Sequence, residues 1–376
     1  MHCHHQYNSN YLKKICLLFL FFTIHMTYGQ LTRKYSNEFL NIGVDAAGLG
    51  MSKSVTAIAS DVNALYWNPA GLSKITVNQG SLMHMTHFAG IGSYDHIAVA
   101  IAPKEKEGAV LAFSIIRFGV DDILDTTDLI DSDGNIDVNR IQLFSAADYA
   151  FNFGVGSSVK KVPNLHVGLN AKIIRRTVGD FASSWGFGLD AGIQYQLGSW
   201  QLGLMARDFT TTYNFWRFDQ DNFEKIKGAI PNKNQELPEK NELTLPKIHF
   251  GIAKEFQLKN KNFHLLSELD MHIRFAETND LISSSSASMS PSLGFQLDYE
   301  DFVFLRAGVG NFQKITEFDD RKTLALEPNI GLGFRYHGIS IDYALSNIAS
   351  VGNALYSNTF SVKIDFDFLK KTGKNI

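Results

Sequence analysis

The feature that most constrains this chain is a strict alternation of apolar and polar residues, recurring in run after run between residues 78 and 368. In one run Trp185, Phe187, Leu189, Ala191, Ile193 and Tyr195 take the odd positions, and Gly186, Gly188, Asp190, Gly192, Gln194 and Gln196 the even ones. Phe360, Val362, Ile364, Phe366 and Phe368 alternate likewise with Ser361, Lys363, Asp365 and Asp367, and residues 263–275, 293–299 and 330–337 repeat the pattern. Successive side chains of a strand point to opposite faces, so each run has one apolar and one polar face. No stretch beyond the N-terminus approaches the ~18 apolar residues that a membrane helix needs.

A soluble sandwich also alternates, with its apolar face inward. Three features favour a membrane barrel instead. The runs last about 10–14 residues, against ~5–6 for soluble strands and ~9–11 for a tilted strand that spans a bilayer. Their apolar faces are bulky and often end on Trp, Tyr or Phe, as interfacial girdles do. Strands are predicted at 78–88, 93–102, 108–118, 141–159, 163–178, 183–197, 199–209, 244–257, 261–275, 289–299, 301–310, 326–337, 338–348 and 357–368, an even count of fourteen. Every second connection is short (103–107, 160–162, 197–200, 258–260, 299–301, 337–338), whereas 119–140, 210–243, 276–287 and 311–325 are long. Short turns on one side and longer loops on the other are the outer-membrane arrangement, with both termini periplasmic. The expectation is an all-β fold, a transmembrane antiparallel β-barrel of about fourteen strands over residues 78–368, surrounded by outer-membrane lipid. A secreted or periplasmic all-β protein is the alternative. The 12% aromatic content, the 30 glycines and the mere 8 prolines fit many strands joined by tight turns.

Residues 1–29 read as a secretory signal: Lys13 and Lys14, then the apolar run 15–24, then Thr27-Tyr28-Gly29 before Gln30. That apolar run is half of what a spanning anchor requires. Both cysteines, Cys3 and Cys16, fall in this segment, so the mature chain carries no disulfide and no Cys-based metal site. Removing Lys13 and Lys14 moves the formal charge from −3 to −5, which is not a nucleic-acid footprint.

If apolar side chains face lipid, the alternate set faces the lumen. It includes Asp190, Glu268, Asp270, His272, Arg274, Arg335, Asp342, Lys363 and Asp365, with Arg207, His249 and His264. Charges of both signs suggest a salt-bridged, partly plugged interior, or else a selective ion path. Residues 30–77 differ in character. Ser60-Asp61 is expected to cap a short helix over 62–67 that contains Asn63 and Trp67. Asn68-Pro69-Ala70-Gly71 should stop it, because proline fixes φ and disfavours helix at the residue before it. Such a segment could fold back into the lumen as a hatch, and residues 369–376 add a basic tail.

No motif of catalysis is found, whether Gly-x-Ser-x-Gly, His-Glu-x-x-His or a Walker loop, so no enzyme, cofactor or metal is expected. Asp131-Ser132-Asp133-Gly134-Asn135-Ile136-Asp137 places oxygens at alternate positions, but Gln142 stands where a calcium loop needs an acid. It reads as a solvated acidic turn, with a weak surface calcium site as the alternative. The loop 210–243 concentrates aromatics, among them Phe215, Trp216 and Phe218. They form either a lid at the barrel mouth or a surface for a partner protein.

The run Phe39-Leu40-Asn41-Ile42-Gly43, Gly48-Leu49-Gly50 and Ala57-Ile58-Ala59-Ser60-Asp61-Val62-Asn63-Ala64-Leu65-Tyr66-Trp67-Asn68-Pro69-Ala70-Gly71-Leu72 resembles the opening of the PorV/PorQ family. That family is a Bacteroidetes branch related to FadL-type barrels. Residues 144–150 (FSAADYA) and 243–246 (LTLP) resemble it too. The resemblance implies a fourteen-stranded barrel with an N-terminal hatch. It also implies an accessory role in type IX secretion or surface-protein handling, through contacts with secretion-system or surface proteins. Tyr66 and Gly71-Leu72 follow the general family pattern rather than PorV itself, which implies a paralogue. The alternative function is a FadL-like transporter of hydrophobic small molecules.

Overall fold

A computed structural model describes residues 36–104, 108–130, 134–222, 239–316, 320–348 and 356–366. The expected signal (1–29), the start of the expected hatch (30–35), Asp131–Asp133 and the tail 369–376 lie outside the described residues. The strand segments are β1 (Gln79–His87), β2 (Gly92–Ile101), β3 (Val110–Asp125), β4 (Gln142–Ser158), β5 (Leu165–Val178), β6 (Ala182–Leu197), β7 (Trp200–Arg207), β8 (Thr212–Phe218), β9 (Asn241–Thr244), β10 (Lys247–Gln257), β11 (Phe263–Arg274), β12 (Ile282–Ser283), β13 (Ser288–Tyr299), β14 (Val303–Thr316), β15 (Lys322–Tyr336), β16 (Ile339–Ser346) and β17 (Ser357–Asp365).

These segments build fourteen barrel positions. β7 and β8 both pair with β6 and together make one interrupted strand. β9 and β10 make the next, pairing with β8 and β7 respectively. β12 is a two-residue pairing on β13. All pairings are antiparallel, and β17 pairs with both β16 and β1, which closes the cylinder. A closed barrel leaves no unpaired edge, the condition for strands in hydrocarbon.

Two sequence expectations need correction here. Phe215, Trp216 and Phe218 are not in a free loop: they lie on β8, which continues the barrel wall. Likewise β3 runs on to Asp125 and β15 starts at Lys322, inside stretches expected to be connections. Beyond the lipid both faces of a strand meet water, so the apolar–polar contrast that reveals strands fades there.

The sense of the alternation is outward-apolar. On β6, Trp185, Phe187, Leu189 and Ile193 are exposed, while Ser184, Asp190 and Gln194 are buried. Exposed apolar side chains recur around the barrel, from Leu82 and Ile97 to Leu305 and Phe360. A surface of that extent is stable only against lipid.

The N-terminal segment packs on the inward face. It contains the short helix Ala46–Gly50, a single turn Ala64–Trp67, and 3-10 turns at Glu38–Asn41 and Pro69–Lys74. Asp45 caps the first of these helices, its carboxylate accepting from Gly48 N at 3.0 Å. The helix expected over 62–67 is shorter than the reading from Ser60-Asp61. It begins at Ala64, and the Asp61 carboxylate accepts from Asn63 N instead (2.9 Å). Pro69 ends that turn and also opens the next as its first residue, where its missing N–H costs nothing.

The glycines explain how the segment fits. Many of them sit not in turns, as composition suggested, but in strands on the inward face. A Cβ at Gly168 would collide with the Pro69 backbone, at Gly156 with Pro69 and Leu72, and at Gly203 with Thr56 and Ala57. Gly294 and Gly308 meet the Met51 backbone in the same way, and Gly251 and Gly331 lie close against Ala57 and Gly50. These strands present bare backbone where the segment's own backbone lies flat against the wall.

Candidate functional site

Strand register places Gln194, Gly203, Gly251, Asp270 and Ser292 side by side across neighbouring strands. This row grips residues 54–59. Gln194 donates its amide to Thr56 O (3.1 Å) and Ala59 O (3.0 Å). Asp270 accepts from the Thr56 hydroxyl (2.6 Å), Glu268 accepts from Ala57 N (2.6 Å), and Ser54 donates to Ser292 (2.9 Å). Asn68 is fully buried and bridges three backbone groups, donating to Thr56 O (2.8 Å) and Ile193 O (3.1 Å) and accepting from Ala70 N (3.2 Å).

Most of the predicted lumen residues are buried or half-buried on the inward face, whereas Arg335 is exposed and His264 lies at the turn-side rim, and only some pair as ions. Lys172 bridges Asp190 (2.7 Å) and Asp208 (2.5 Å), Arg306 meets Asp342 (2.6 Å), and Arg274 meets Asp280 (2.6 Å). Lys363 reaches the segment itself, at Asp61 (2.5 Å). Arg335 donates to Ser340 (3.3 Å), and His272 is hydrogen-bonded to Ser292 (3.1 Å). Asp365 accepts from Gln79 (2.9 Å). Glu268 and Asp270 are the departure from a salt-bridged interior: both are fully buried, and their partners are the segment's N–H and hydroxyl groups rather than a cation. Of the remaining motif residues, Asn63 and Trp67 are buried, and Gly71 abuts the Ala59 carbonyl so closely that no side chain fits.

Sequence reasoning missed Asp45 and Thr56 and assigned no contact to Gln194 or to the inward glycines. Alternation could mark Gln194 as inward, but nothing local tells which inward residue meets the N-terminal segment.

At the mouth, Phe215 points outward, whereas Trp216 and Phe218 stack in parallel (centroids 6.1 Å apart, 12°) with Arg176 over the Trp216 ring. Among the described residues one group of three metal-capable side chains converges, His264, Asp298 and Asp301 at the turn-side rim. Asp298 already binds His264 (3.0 Å), and nothing further marks a metal site.

Among the described residues, two cavities of about 380 Å³ each lie on either side of the segment. The one on the long-loop side has an apolar floor of Ile42, Leu49, Tyr66, Trp67 and Met85. Lys53, Arg207, Lys247 and Arg274 outnumber Glu38 and Glu327 in its walls. The one on the short-turn side is polar and mixed in charge, with Asp45, Asp61, Lys74, Arg306, Asp342 and Lys363.

No protein-family profile matches the chain, and no curated protein matches it in sequence. Solved structures match it in fold. The CymD monoaromatic hydrocarbon channel is 12% identical, with 86% of this chain and 98% of that one covered and a TM-score of 0.52. The P. putida toluene transporter TodX gives 13%, 89%, 98% and 0.53. The Ralstonia pickettii toluene transporter TbuX gives 11%, 86%, 98% and 0.51. The chain thus shares the fold of these proteins and is a closed antiparallel barrel of fourteen strand positions. The barrel expected from the sequence agrees with this fold; kinship to the PorV/PorQ family is not shown.

Proposed function

We propose that this protein is an outer-membrane passage for a hydrophobic small molecule, in which residues 36–75 act as the hatch. The observation that carries the reading is a closed barrel whose interior segment has an apolar-floored cavity on its loop side and a polar one on its turn side. The descriptions of the similar barrels as hydrocarbon channels and toluene transporters support the same reading. The loop side faces the cell exterior, both termini are periplasmic, and residues 1–29 are removed on export. The test is uptake of N-phenyl-naphthylamine by vesicles containing the purified barrel. Uptake above that of empty vesicles supports the passage, and uptake equal to theirs rejects it.

A second reading, an accessory barrel for secreted or surface proteins, draws on the sequence resemblance and on Trp216 and Phe218 at the loop-side mouth. Co-purification of a secretion protein from native membranes, lost in Trp216→Ala, together with no probe uptake, would favour it.

A further inference from the structure

We propose that the Trp67 ring is the partition between the two cavities, so that a continuous path through the barrel exists only when this ring leaves its seat. The inference rests on the hatch reading above but does not depend on what solute is carried.

Trp67 is the single residue among those described that lines both cavities. Its ring sits in a seat made by the chain immediately before it. A Cβ at Gly48 would stand 2.9 Å from the ring, and one at Gly43, whose φ is +105°, would stand 3.0 Å away. Glycine at these positions lets the backbone close on both sides of the indole. Tyr66 meets it edge-on at 4.8 Å and 88°. The indole N–H donates to Asp45 Oδ2 at 3.3 Å.

The holder and the ring are anchored differently. Asp45 N donates to the Met83 sulfur (2.9 Å) and Ala46 N to Ser361 (3.0 Å), which fixes the seat to β1 and β17. Trp67 belongs to a separate turn, fixed through Asn68 to β6. The ring itself is held to its seat by one long hydrogen bond and van der Waals contacts, while the Tyr66 hydroxyl (2.5 Å to Leu40 O) and Arg207 tie the backbone of its turn to the seat, so the ring can swing while its backbone stays anchored. Asp45 also has φ 59° and ψ 141°, a backbone region costly for a side-chain-bearing residue. Strain of this kind persists only where the surroundings hold it in place.

The experiment uses the full-length barrel in planar bilayers, with hydrogen exchange at Thr56 and Ala57 reporting whether the hatch stays docked. Trp67→Ala should raise ion conductance several-fold while those amides stay protected. Gly48→Ala, which pushes a methyl into the ring, should raise it too. Wild-type conductance in both variants, with the barrel inserted and the amides protected, overturns the proposal. If Trp67→Ala undocks the hatch, Trp67→Phe decides: a smaller rise with protected amides supports the partition, and no rise overturns it. Conductance that rises without probe uptake in any variant keeps the partition and rejects the transport reading. Wild-type probe uptake with neither uptake nor conductance changed by Trp67→Ala does the reverse.

Discussion

Asp270 Oδ2 receives two hydrogen bonds from Thr56, one from the backbone N–H at 3.2 Å and one from the hydroxyl at 2.6 Å. A wall strand and the interior segment are thereby joined at a fully buried site. Asp270→Ala leaves both donors unmet, at a cost of about 1.5–3 kcal/mol for bonds to a charged group. Amide exchange at Thr56 should accelerate, with the barrel still resisting SDS unboiled. Unchanged exchange would mean that the segment is held elsewhere.

Asn68 should matter more than Pro69. Asn68→Ala removes three buried bonds, one of them the cap of the Pro69–Lys74 turn, with a cap alone worth ~1 kcal/mol. Pro69→Ala removes no hydrogen bond. Asn68→Ala should sensitise residues 36–75 to protease far more than Pro69→Ala does, and equal digestion of the two variants would contradict this.

The inward glycines predict a positional contrast. Gly168→Ala drives a methyl into the Pro69 backbone, which cannot rotate away, and overpacking of this kind costs ~1–3 kcal/mol. Gly198→Ala meets nothing within 4 Å, and only its φ of +60° opposes the change, by ~1–2 kcal/mol confined to a turn. Conductance should rise in the first variant and stay at wild-type level in the second.

Hatch docking should weaken as pH rises. Burial, reinforced by the Asp61 and Asp342 charges, lifts the Asp45 carboxyl from 3.8 to about 7, while the Gly48 N–H and Lys363 pull the other way. A carboxyl whose folded value is raised contributes stability that is full below its unfolded value of ~3.9, and that stability is lost as pH climbs through the folded value. Protection of the 46–50 amides, corrected for the intrinsic pH dependence of exchange, should therefore fall between about pH 4 and about pH 7, and Asp45→Asn should flatten the profile. A flat wild-type profile would refute it.

Phe187 faces lipid in mid-strand, 53% exposed. Phe187→Arg should destabilise the inserted barrel by about 2–4 kcal/mol if it sits near the bilayer midplane, read from urea titration of folding into vesicles. Little or no loss would place β6 outside the hydrocarbon.

The sequence by itself determined the barrel. Alternation is a local property, and near Trp185–Gln196 or Phe360–Asp365 it says which side chains face out, because lipid on one side and packed interior on the other impose opposite chemistry on neighbouring residues. It also marked the Asn68-Pro69-Ala70-Gly71 break. Only the tertiary structure decided what the inward set meets. Glu268, Asp270 and Gln194 look like any lumen-facing polar residues until register sets them beside Gly203 and Gly251 and the N-terminal backbone is laid across the row. The pairing of Asp61 with Lys363, and the placing of Trp67 between two cavities, join residues far apart in the chain, and no periodicity carries that information. For the same reason Phe215, Trp216 and Phe218 read as a loop: past the lipid a strand is held by its neighbours' hydrogen bonds rather than by a contrast between its faces, and its own sequence does not record it.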